Sequence, residues 1–265
     1  MSHEAESHPA ATALASRAPR TTSRRELLVA GGTGALAAAL AAAPVAAAVS
    51  PPLAGIARHS TQEVLNVAAT VEVLTTIVTT TALQKLSLPQ AAVDTVGAAS
   101  REELDHYQVL TERFGGRAAT HRVWVPDAIF SDPTALFTTL VVGEQICINL
   151  YLVATTVWAQ NGSPAMARAG AELVGNEGVH RALARQALGL QPNDRSFMKY
   201  DQMDHAEGPG HGSVGFTTAQ GAIQAFEAAG IGFGTQGTAP GTFYDFDVVR
   251  RTTPNPGFVN TNHPR

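Results

Sequence analysis

Glu103-Leu104-Asp105-His106 and Glu177-Gly178-Val179-His180 repeat one spacing, a carboxylate followed three residues later by an imidazole. On a helix such residues share a face and could hold one ion between them. Taken singly, such a pair is better read as a solvated helix face. A lone glutamate precedes each pair: Glu72 lies 31 residues before Glu103, and Glu144 lies 33 residues before Glu177. The chain thus carries one unit twice, a Glu and then a Glu-x-x-His. Four carboxylates and two imidazoles brought together would be prohibitively costly unless they pair, protonate or bind metal. Carboxylate oxygens with imidazole nitrogens suit iron or manganese.

These residues need helices to position them. From Ser60 to Gln84 apolar residues recur at three- and four-residue steps, and Ser60 with Glu63 has the spacing of a capping box. A second helical stretch runs from Gln90 to a Gly pair, Gly115-Gly116, suited to a C-terminal cap. Ser131-Asp132-Pro133 opens a third that runs to about Gln160, and Asn161-Gly162-Ser163-Pro164 turns into a fourth that runs to about Leu190. Each spans about 25 residues, roughly 38 Å. Short joints make two antiparallel hairpins, and in a hairpin residues equally far from the turn lie at one height. Separations of 31 and 33 therefore place all six side chains near the middle of the helices. The linker from Gly115 to Asp132 shows no helical period, and extended it reaches roughly 60 Å. That is enough to start the third helix at the far end. The expected fold is all-α, a four-helix bundle with one long crossover between the second and third helices.

In order and spacing, Glu72, Glu103 with His106, Glu144, and Glu177 with His180 resemble the ligand set of the ferritin-like di-iron carboxylate superfamily. That superfamily includes ferritins, bacterioferritins, rubrerythrins and manganese catalases. The resemblance covers roughly residues 60 to 190, and the layout of the whole chain looks most like exported ferritin-like proteins related to plant desiccation-related protein. It implies two iron ions, or alternatively two manganese ions. Glu103 and Glu177 would bridge them, with a base role for Glu177 as the manganese-catalase alternative. Glu72 and Glu144 would be terminal ligands, and His106 and His180 would bind one ion each. The implied chemistry acts on dioxygen, peroxide or Fe(II). The competing expectation is a non-catalytic stress or desiccation protein on the same scaffold.

The N-terminal 48 residues read as an export signal. Ser23-Arg24-Arg25-Glu26-Leu27-Leu28 precedes an uncharged, Ala- and Gly-rich run ending at Ala46-Ala47-Ala48, which resembles a twin-arginine signal cleaved after about Ala48. The expected protein is exported across the cytoplasmic membrane, with no stable membrane insertion after cleavage. Residues 49–190 would form the bundle. Residues 191–265, glycine-rich with one short helix, would form an irregular extension pinned by Phe233, Phe243, Tyr244 and Phe246. A net charge of −4 argues against nucleic acid as a partner. A homo-oligomer is compatible with this composition.

Other residues near the motifs read more plainly. Cys147, the single cysteine, is expected to be buried and inert, with no disulfide within the chain. Tyr151, on the face of Glu144, serves either as an electron relay or hydrogen-bond donor at the metals or as core packing. Glu102 and Asp105 read as surface residues, Asp105 having a ring-orienting role as its alternative. His59, His121, His205 and His211 lack ligand spacing and read as surface. Gly175 and Gly178 each cost about 1 kcal/mol in a helix. The expected compensation is close helix approach and, at Gly143 and Gly178, room for a cavity beside the ligands.

Overall fold

The computed structural model describes residues 56, 59–200 and 215–264. The export signal, its cleavage point, His205 and His211 lie outside the described residues. Four long helices dominate: α1 (Thr61–Lys85), α2 (Gln90–Gln108), α3 (Pro133–Gln160) and α4 (Pro164–Ala187). Helix α1 packs on α2, α3 packs on α4, and the pairs meet through α1 with α3 and α2 with α4.

The local signals act where the sequence puts them. The Ser60 hydroxyl accepts from the Glu63 N–H at 3.1 Å, and the Asp132 carboxylate accepts from the Ala135 N–H at 2.9 Å, with Pro133 in the first turn. Beyond Gln108 the second helix widens into a π-helical turn, Val109–Arg113, and the chain leaves it at Gly115 with φ +77°. Helix α4 ends at Ala187, a little short of Leu190, and the chain turns at Gly189 with φ +71°.

Helices α1 and α3 are long and apolar enough to cross a membrane by length and composition, yet 89% and 72% of their most apolar windows are buried inside the protein. Helix α1 is apolar on every side because it is covered on every side. Besides α2 and α3 it packs against α5 (Ala219–Ala228) and α6 (Phe246–Val249), both from the C-terminal extension.

The structure corrects the all-α expectation, because the mostly helical chain also carries a three-stranded sheet. The crossover holds β1 (Arg122–Pro126) and a 3-10 turn, Asp127–Phe130; the extension supplies β2 (Gly232–Phe233) and β3 (Gly241–Asp245). The order is β2-β1-β3, both pairings antiparallel, with Val123 opposite Phe233 on one side and Tyr244 on the other. Val123 and Val125 point inward and are fully buried, the two-residue alternation of a half-buried strand.

Among the described residues the extension is therefore irregular only in part: 219–252 carry helices and strands, while 191–200 and 253–264 carry neither. Phe226, Phe246 and Val249 join the same apolar core as the long helices. Phe246 packs edge-on against Tyr107 at 4.6 Å, Phe243 against Trp124 at 5.0 Å, and Tyr244 takes a hydrogen bond from Lys85 at 2.6 Å. After α4 the chain is tied back by Asp194, whose carboxylate receives two hydrogen bonds of 2.9 Å from the buried Arg181 and lies 3.2 Å from Arg185.

Candidate metal centre

Helices α1 to α4 each bring part of one buried cluster. Glu72, Glu103 and Glu177 have no exposed surface, Glu144 is 2% exposed and His180 6%, while His106 is nearly buried. The six sequence-predicted residues come together as two overlapping sets, Glu72–Glu103–His106–Glu177 and Glu103–Glu144–Glu177–His180, with the donor atoms of each set within 4.8 Å of one another. Donors about 2.1 Å from a common ion stand at most about 4.2 Å apart, so small side-chain shifts would close either set on a metal.

Both imidazoles present Nδ1 to the carboxylates. His106 Nδ1 lies 3.2 Å from Glu177 Oε1 and 3.7 Å from Glu103 Oε2, while His180 Nδ1 lies 3.2 Å from Glu177 Oε2 and 3.1 Å from Glu103 Oε1. Glu103 and Glu177 thus each turn one oxygen to each histidine. Glu72 stands on the His106 side at 3.7 Å and Glu144 on the His180 side at 3.9 Å. Four buried atoms, His106 Nδ1, Glu103 Oε1, Glu144 Oε2 and Glu177 Oε1, lack a hydrogen-bond partner. Such orphaned donors are what a metal would satisfy.

Electrostatics divide the six along the same line. Burial drives Glu72 and Glu144 well above the usual carboxylate range, and the charge of Glu103 adds to it. Burial also pushes on Glu103 and Glu177, but the close imidazoles of His106 and His180 outweigh it and hold both low. Burial disfavours charged imidazole, yet contacts with Glu103, Glu177 and Glu72 raise His106, and contacts with Glu102, Glu103 and Glu177 raise His180. Without metal, protons are therefore favoured on Glu72, Glu144, His106 and His180 over Glu103 and Glu177.

Surrounding residues fix these side chains. Tyr151, fully buried, donates its hydroxyl to Glu72 Oε1, which fits both core packing with a satisfied hydroxyl and a hydrogen bond at the site. Thr75 Oγ1 donates toward Glu103 Oε2 at 2.9 Å and lies 3.2 Å from Glu72 Oε2. Glu102 is not a surface bystander: its carboxylate meets His180 Nε2 at 2.7 Å and orients that ring from behind. Asp105 is buried too, but it pairs with Arg101 at 2.6 Å and orients no ring. His121 links Tyr107 (3.0 Å) to Asp247 (2.8 Å), joining the crossover to the extension. His59 pairs with Glu63 at 3.2 Å. Cys147 is fully buried, its thiol pushed up by burial and by the nearby carboxylates.

Two cavities flank the cluster. One, of about 40 Å³, lies on the α1–α3 side against Thr75 and Glu144 and is walled by Phe226, Ala229 and Ile231. The other, of about 230 Å³, lies on the α2–α4 side and is lined by Glu102, Asp105, His106, Glu172 and Asn176, with residues 260–264 across it. Gly143 lines the first as expected, whereas Gly178 lines neither. A Cβ on Gly175 or Gly178 would meet nothing within 4 Å, so close helix approach does not explain either glycine. That approach occurs at Gly170 instead, where a Cβ would fall 2.5 Å from Thr155 Oγ1 and 3.1 Å from the Trp158 ring.

Comparison of the chain with family models, with curated proteins and with solved structures finds no match. The class that fold and site define is a mostly helical protein whose buried carboxylates and imidazoles could hold a metal ion.

Proposed function

We propose that this chain is a ferritin-like protein in which the four long helices form a bundle around a dinuclear iron or manganese centre, and that the centre reacts with dioxygen, peroxide or Fe(II). One observation carries the reading: Glu103 and Glu177 each direct one oxygen toward His106 and the other toward His180. Carboxylates so split are disposed to bridge two ions, leaving Glu72 with His106 for one and Glu144 with His180 for the other. Charge agrees with this stoichiometry. Four ionised carboxylates carry four negative charges, which two divalent ions would balance.

When bound, the metals would supply reversible one-electron chemistry at adjacent ions. The chain's own residues bury the carboxylates, aim the imidazoles and fix Glu72 through Tyr151 and Thr75. Transport of the folded, loaded protein by a twin-arginine signal belongs to the same proposal.

Elemental analysis of protein loaded anaerobically with Fe(II) or Mn(II) tests the stoichiometry. Wild type should hold two ions per chain, Glu144→Ala one, and Glu103→Ala less than either. One ion in the wild type, or equal loss in both variants, would overturn the dinuclear reading. Iron-loaded protein should then consume dioxygen or peroxide.

A further inference from the structure

The smaller cavity separates the two oxidants left open above. Resting on that dinuclear reading, we propose that the space between α1, α3 and α5 is a pocket for dioxygen, and that the C-terminal extension forms its outer wall. At about 40 Å³ it has room for about three water-sized groups, so dioxygen fits and selection must come from the lining. Its lining is almost wholly apolar: Leu74, Val78 and Ile129 on one side, Phe226, Ala229 and Ile231 on the other. At the inner end stand Thr75 and the ligand Glu144, so a molecule held there lies against the metal-binding carboxylates.

Polarity decides which oxidant the pocket suits. Peroxide carries two O–H donors and needs partners for them, whereas dioxygen needs none. The two hydroxyls in the lining have their protons engaged within the protein, Thr75 toward Glu103 Oε2 at 2.9 Å and Thr139 to the Ala135 carbonyl at 2.9 Å, so peroxide would find no side-chain donor there and only those two oxygens as hydroxyl acceptors amid apolar side chains. The one remaining polar group is the Glu144 carboxylate, which the proposed metal would occupy. A polar oxidant has the other side of the cluster open to it, where the larger cavity reaches His106 past Glu102 and Asn176.

Phe226, Ala229 and Ile231 belong to the segment that sequence alone reads as an appendage. Their place in the wall makes the extension part of the site. Gly143 contributes through what it lacks: a Cβ there would already touch the Phe226 ring at 3.8 Å, so any longer side chain would grow into the space.

Xenon, an apolar atom of suitable size, probes the pocket without chemistry. Crystals of the full chain under xenon pressure should show an atom between Thr75 and Phe226 whether or not metal is present. Ala229→Leu should exclude it while metal content stays at the wild-type value. In the iron-loaded Ala229→Leu protein the ratio of the dioxygen rate to the peroxide rate should fall by at least about tenfold. Phe226→Leu, which enlarges the space, should raise xenon occupancy and gives a second variant should the first not fold. An empty pocket in wild-type crystals, or dioxygen and peroxide rates that fall together, would overturn the proposal. Loss of metal binding in the wild type would instead overturn the dinuclear reading, since xenon reports on the cavity alone.

Discussion

At the scale of single residues, protons and the proposed metals would compete for the same six side chains. His106 and His180 are raised above the ordinary imidazole range and Glu72 and Glu144 above the carboxylate range, while Glu103 and Glu177 are held low. The four raised groups keep their protons to higher pH, so the proposed metals would have to displace protons chiefly from these four rather than from Glu103 or Glu177. Metal affinity should therefore rise with pH through neutrality, levelling only above the raised imidazole values. Calorimetry in buffers of different ionisation enthalpy should count up to about four protons released per chain. Glu102 supplies a second prediction here. Glu102→Gln leaves all six ligands in place but weakens the partner of His180 Nε2, and metal affinity should drop by roughly 10- to 100-fold. Asp105→Asn, touching Arg101 rather than a ligand, should change metal affinity by less than about threefold by the same measure. The six donors were legible in sequence because their spacing is helical and local. Glu102 was not, since its partner lies 78 residues away and nothing near it in sequence marks it as facing inward.

Among elements, the α3–α4 packing and the sheet show where pattern reading succeeds and fails. Helix starts at Ser60 and Asp132 follow from short-range capping, and the structure keeps both. Strand β1 has the alternation of a strand, but the strands it pairs with arrive over a hundred residues later, so no hairpin signal accompanies it. Glycines divide in the same way, because a sequence reports that a side chain is absent and not what stands opposite. Gly170 faces Thr155 and the buried Trp158 ring, whereas Gly175 faces open space. Opposite signs follow for one substitution. Gly170→Ala gains helix propensity of about 1 kcal/mol but must push aside Trp158, and should destabilise the protein by about 1–2 kcal/mol net. Gly175→Ala meets nothing and should stabilise it by up to about 1 kcal/mol. Urea denaturation of the two variants beside the wild type measures both, and equal shifts would contradict the assigned α3–α4 contact.

For the molecule as a whole, the extension determines how the ligand helices are held. Ile223, Phe226, Ile231, Phe246 and Val249 from that segment are all buried. At about 2 kcal/mol for each side chain removed from water, their gross contribution rivals the roughly 5–15 kcal/mol of net stability typical of a folded domain. The segment also supplies both neighbours of β1, whose edges would otherwise stand open to other chains. It covers the side of α1 that no long helix reaches, and α1 carries Glu72 and Thr75. A chain ending at Leu190 would keep all six ligands and all four long helices, so an independent bundle would bind metal as before. The buried surfaces predict otherwise. The truncated chain should retain helical circular dichroism, bind a hydrophobic dye, associate through β1, and hold less metal than the full chain at equal free metal concentration. Full metal content with an unchanged cooperative unfolding transition would show that the ligand helices stand without the extension. A parallel Phe246→Ala variant, expected to lose about 3–5 kcal/mol, separates loss of core packing from loss of the cavity wall: Phe246 is absent from that wall. Its stability should fall while xenon still occupies the pocket of the folded fraction.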